Sequence, residues 1–158
     1  MSQADIESMF IEKIRAAHRK RAEYLYFIYK ELCEEVGKAK AQKIIGSALR
    51  KAGNYYGKLM SGINTPRDFI SLIESGNPKE VFGRETITKS DEVGTFTVSY
   101  CPLIDAWQKM GLPEDETLKL CDIAMEADFG ITEANQLRLT VNKCLMRGDA
   151  VCELQVTK

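Results

Sequence analysis

Histidine is nearly missing from this chain: among 158 residues only His18 is found. The ordinary serine or cysteine triad, which needs a histidine base, is therefore excluded unless a carboxylate substitutes. Net charge is equally scarce, with 22 Lys and Arg against 23 Asp and Glu. Nothing in that balance favours nucleic acid or an anionic membrane surface as a partner; a small molecule fits better. No apolar run approaches the roughly 20 residues needed to cross a bilayer, and the run Tyr24 to Tyr29 is stopped by Lys30 and Glu31. The N-terminal stretch also lacks the apolar core of a signal peptide. Five cysteines, an odd number with no Cys-x-x-Cys pair, argue against a disulfide framework and suit a reducing compartment. A cytoplasmic location without membrane contact is the resulting expectation.

What is present reads as one domain over residues 1–158, made of a helical hairpin (1–64) and an α+β part (65–158). From Asp5 to Val36 the residues Phe10, Ile14, Ala17, Tyr24, Ile28 and Leu32 fall largely at three- and four-residue steps, which predicts a long amphipathic helix. Gly37 ends it, and a second helix is predicted through Ile44, Ala48, Ala52, Tyr55, Leu59 and Ile63. The two are expected to pair antiparallel. Each carries more apolar stripe than a lone hairpin needs, which suggests a homodimer. The basic cluster His18-Arg19-Lys20-Arg21 on the first helix reads as solvated surface, with an anion patch as the alternative.

Thr65-Pro66-Arg67-Asp68 predicts a third helix start, with Thr65 as cap and Pro66 in the first position. Strand-like runs at Val81 to Thr88 and Thr95 to Tyr100 predict a hairpin, and Leu137 to Val141 with Val151 to Val156 predict a second one around Arg147-Gly148-Asp149. Between the hairpins lie two helical patterns, one opening at Cys101-Pro102 and one at Pro113-Glu114. The fold class is α+β: a four-stranded antiparallel sheet from two hairpins, packed by the N-terminal helical hairpin and a C-terminal helix pair. Strand order is left open.

Four cysteines, Cys101, Cys121, Cys144 and Cys152, sit at the joints of this second half. Cys101 at a helix N-cap would face the positive end of that helix, a setting that lowers a thiol pKa and favours the nucleophilic thiolate. Burial as a small hydrophobe is the other reading of that position. Leu118, Cys121, Met125 and Asp128 share one helix face, with Asp122 beside them, so either aspartate could look where Cys121 looks. Alternation along the last strand turns Cys152, Leu154 and Val156 inward. Cys101, Cys121 and Cys152 converging with a carboxylate would also suit zinc, although the usual short ligand spacing is missing. No cofactor is otherwise expected.

The strand ending in Cys101, the later Cys121-Asp122 and the terminal KCLMRGDAVCELQV together resemble the L-2-amino-thiazoline-4-carboxylic acid hydrolase family, from about Glu80 onward. Cys101, Cys121, Asp122, Gly148, Asp149 and Cys152 fall on positions associated with that family. The resemblance implies a hydrolase that opens a cyclic amidine ring to a carbamoyl-cysteine. It implies catalytic roles for Cys101, Cys121, Asp122 and Cys152 and substrate binding by Asp128 and Asp149. The Gly-Asp-x-x-Cys hairpin is also similar to that of vinyl-reductase-type domains, which implies a non-catalytic small-ligand-binding module as the competing class.

Overall fold

The computed structural model describes residues 2–158. In order the elements are α1 (Gln3–Val36), α2 (Lys38–Leu59), α3 (Pro66–Ser75), β1 (Arg84–Lys89), β2 (Val93–Val98), α4 (Pro102–Lys109), α5 (Glu114–Ala134), β3 (Arg138–Lys143) and β4 (Cys152–Thr157).

Local chemistry explains most of the boundaries. Ser2 and Asp5 form a reciprocal capping box that opens α1, and Thr65 with Asp68 does the same for α3, where Pro66 sets the first turn. A single residue, Gly37, separates α1 from α2. Its φ of 82° lies where a side chain would be strained, so glycine permits the abrupt joint. The predicted strands of the first hairpin are displaced. Lys79–Val81 is a single 3-10 turn with Val81 fully buried, and β1 begins only after Gly83. Strand β2 starts earlier, at Val93, and stops at Val98, where Ser99 and Tyr100 bond the carbonyls of Gly83 and Phe82 at 3.1 Å each.

All strand pairs are antiparallel, in the order β1-β2-β4-β3. The two hairpins are thus joined by β2 and β4, with Val98 opposite Cys152 and Phe96 opposite Leu154. One apolar cluster gathers Ala22 and Tyr29 of α1, Ala41 and Ile45 of α2, Trp107 of α4, and Leu120 and Ile123 of α5. The Trp107 indole N–H donates to the Ala22 carbonyl at 2.9 Å, so its one polar atom is satisfied inside that cluster. A second cluster holds Phe69, Val98, Leu139, Leu154 and Val156 between sheet and helices. Helix α5 runs through both, offering Leu120 and Ile123 to the first and Met125 and Phe129 to the second.

The apolar stripes of the two N-terminal helices are split between inside and outside: Leu32 and Ile63 pack into the clusters, while Phe10, Tyr24, Ile28, Ile44, Tyr55 and Leu59 are exposed. Helix α2 buries instead Ala41, Ile45, Gly46, Gly53 and Gly57, the last two against α5. A Cβ on Gly53 would run into the Ala127 carbonyl, one on Gly130 into the Arg50 carbonyl, and one on Gly57 would lie 2.7 Å from the Ile131 carbonyl oxygen. The two backbones therefore touch, and only residues without side chains allow it. Arg50 secures the same crossing with ion pairs to Glu126, at 2.7 Å, and to Glu133.

Candidate functional site

Cys101 caps α4 as predicted, with extended backbone at φ −122° and Pro102 in the first helical position. The β2 strand that leads to it pairs Val98 with Cys152, so both cysteines sit at one end of the sheet. The expected depression of the Cys101 pKa does not occur. Burial pushes the thiol up; the Ile104 and Leu103 amides at the helix start pull it down, the Asp128 carboxylate adds to the rise, and Arg21 opposes it. Desolvation acts over the whole thiolate, while the helix end offers only two amides. The resting form is the thiol.

Cys121 and Cys152 join it. Burial raises the Cys121 thiol well above its ordinary value, and the charges that Cys144, Cys101 and Cys152 would carry raise it further. Burial likewise moves Cys152 up to about 11, against the Leu145 amide, which donates to its sulfur at 3.3 Å. Cys144 is buried and belongs to the same group. The four thiols thus cluster where β4, α4 and α5 meet, and burial keeps Cys101, Cys121 and Cys152 in the neutral form. Among the described residues no three His, Cys, Asp or Glu side chains are arranged to hold a metal ion.

Asp128 differs from the thiols. It is exposed, yet the protein packed around its carboxyl desolvates it enough to raise its pKa to about 6, with Arg21 pulling the other way. The carboxyl therefore keeps contact with water while protein atoms crowd its other sides. Its charge is felt by Cys101. On the facing helix α1, Arg21 acts on Asp128, Cys101 and His18 alike. His18 packs edge-on against Phe82 at 4.9 Å between ring centres, and its pKa is lowered first by burial and then by Arg21.

The remaining predicted residues lie at the rim. Asp122 accepts from Arg147 at 2.7 Å, and Asp149 accepts from the Cys144 amide at 2.8 Å, closing the turn that Gly148 makes at φ 89°. Both aspartates fix the Cys144–Cys152 connection, one by pinning Arg147 to α5 and one by bonding the backbone.

The basic cluster on α1 is solvated only in part. Arg19 reaches the Tyr100 hydroxyl at 3.4 Å and Asp105 at 3.5 Å and His18 is part-buried, while Lys20 and Arg21 are exposed. Arg21 is the member of the cluster whose charge reaches Cys101 and Asp128.

The family described as L-2-amino-thiazoline-4-carboxylic acid hydrolase matches residues 17–156, from inside α1 to β4. No curated protein matches the chain. Among solved structures it is similar in fold to a trafficking protein particle complex subunit 3 from Naegleria fowleri covalently bound to palmitic acid. That likeness has 19% identity and a TM-score of 0.53, and covers 87% of this chain and 94% of that one. It is also similar, with 15% identity and a TM-score of 0.47, to the phenol-responsive sensory domain of the transcription activator PoxR with phenol, covering 86% of this chain and 73% of that one.

Proposed function

The chain belongs to the L-2-amino-thiazoline-4-carboxylic acid hydrolase family, and on that premise we propose that it opens a cyclic amidine ring like that of 2-aminothiazoline-4-carboxylate to a carbamoyl-cysteine. The observation that carries the reading is the Asp128 carboxyl, desolvated yet in reach of water, with Cys101 and Arg21 as its neighbours. A carboxyl with a pKa of about 6 is mostly ionised at neutral pH and still gives a proton back readily. As a water oxygen bonds to the amidine carbon, Asp128 takes one water proton. The bond from that carbon to the ring sulfur then breaks, the sulfur receives the proton from Asp128, and the other water proton ends on the ring nitrogen as the new carbonyl forms. Arg21 provides the positive charge for the substrate carboxylate.

Direct attack by Cys101 is disfavoured in this scheme, because the raised thiol pKa makes proton loss to Asp128 strongly uphill. Cys101, Cys121 and Cys152 serve as neutral groups beside Asp128, and Asp122 and Asp149 hold the connection between Cys144 and Cys152.

The test is turnover of L-2-aminothiazoline-4-carboxylate by the purified chain, with product followed by mass spectrometry. The expected result is a kcat/KM that rises with pH through about 6, as Asp128 ionises, and then levels. Asp128→Asn should lose on the order of a hundredfold or more, and Cys101→Ser should keep most of the activity. Loss of activity in Cys101→Ser alone would instead make the thiol the nucleophile.

The raised thiols of Cys101, Cys121 and Cys152 also favour a second reading, a small-molecule-binding module without catalysis, since none of these three is held as a reactive thiolate. Saturable binding of the same compound with no product would support that reading and overturn the first.

A further inference from the structure

Helix α1 has two apolar faces. One, with Ala22, Tyr29 and Leu32, enters the first core cluster. The other, about 100° round the helix from it, runs through Ile6, Phe10, Ala17, Tyr24 and Ile28 with Met9 and Phe27 alongside, and its large residues are 43–59% exposed. That stripe faces away from the core cluster and forms one outer surface along α1.

We propose that this surface is where two copies of the chain associate, α1 crossing α1 antiparallel about a two-fold axis near Tyr24. Two properties favour a second copy as the occupant. The first is area. A large apolar side chain exposed to this degree offers on the order of 100 Å², so the six large residues of α1 present roughly 600 Å², the share of one partner at the lower end of stable interfaces. The second is charge. On the outward face of α1, Lys13 and Lys20 lie toward the N-terminus, and Glu31 and Glu35 toward the C-terminus, all exposed. The ion pairs α1 makes within its own chain run through Arg19 and Lys30 instead. Lys13 and Glu35 are equidistant from Tyr24 along the helix. An antiparallel two-fold pairing then sets the lysines of one copy beside the glutamates of the other, with every contact made twice. A self-complementary stripe of this kind fits its own copy better than a partner of uniform charge or a lipid surface.

The proposal goes beyond the hydrolase reading and does not depend on it, because its measurement is mass in solution. Sedimentation of the full chain from about 1 to about 100 µM should give twice the 17.8 kDa chain mass. Phe27→Glu should give the single-chain mass with an unchanged circular dichroism spectrum. Lys20→Glu should weaken association at least tenfold, and Lys20→Glu combined with Glu31→Lys should restore it, a rescue that non-specific stickiness of the patch cannot reproduce. A wild-type chain that stays monomeric over the whole range overturns the proposal, as does a dimer that both Phe27→Glu and Lys20→Glu leave intact. Larger open-ended assemblies or co-purified lipid on this face also overturn it.

Discussion

Helix α2 and strand β4 obey opposite rules about which residues go inside. In β4 the large alternating residues are the buried ones: Leu154 and Val156 fill the sheet-side cluster, as a period of two predicts. In α2 the large residues stand outside, and the buried face is made of Ala41, Ile45, Gly46, Gly53 and Gly57. The difference follows from distance. A sheet and the helices on it are held apart by side chains, so volume fills the gap and hydrophobic size marks the inner face. At the α2–α5 crossing the backbones themselves meet, so what marks the inner face is the lack of a side chain. There, dispersion between close-packed backbones replaces the burial of large apolar groups.

The comparison can be broken most sharply at Gly53. Gly53→Leu drives a side chain into the Ala127 carbonyl and should cost more than about 3 kcal/mol in urea unfolding, at the severe end of overpacking. A tolerated leucine would mean that α2 and α5 can separate and that the crossing is not backbone-limited. Next comes Leu154→Ala, which removes volume where volume is the principle; a loss of about 2–4 kcal/mol is expected, by the same measurement. Should Leu154→Ala prove costlier than Gly53→Leu, the two regions would follow one rule after all. The smallest effect belongs to Leu59→Ser. At 65% exposure this change should move the unfolding free energy by no more than about 0.5 kcal/mol at a concentration that keeps copies apart. A larger loss there would show that the outer stripe of α2 is packed within its own chain.

These contrasts also explain what could be read from the residues. Caps and turns are local, and they were legible: Thr65-Pro66-Asp68 opens α3, Cys101-Pro102 opens α4, and Gly148 turns the second hairpin. The α+β class and the inward face of β4 followed from periodicity. The apolar stripes of α1 and α2 were found, but only part of them, Leu32 and Ile63 included, turns inward, because hydropathy detects large residues and the α2–α5 crossing is built of small ones. The candidate cysteines did come together, and of the two readings of Cys101 burial outweighs the helix end. The helix-end effect is visible in sequence, whereas desolvation depends on what distant segments pack around the thiol. Arg21 did not stand out for a similar reason, since nothing in the run His18 to Arg21 says which of the four the fold brings near Asp128. Strand order depends on the β2–β4 pairing, a contact between distant segments that no local pattern encodes.

That pairing also dictates a timetable. Strand β4 is synthesised after the other three, yet it lies in the middle of the sheet, flanked by β2 and β3. Until it emerges from the ribosome, β1 and β2 exist as an isolated two-stranded ribbon, which is marginal in water. The helical layer gains no head start from locality, since its crossings join residues as distant as Arg50 with Glu126 and Ala22 with Trp107. Closure by β4 is therefore the last of several long-range joins, and the one that brings Cys152 to the strand end leading to Cys101.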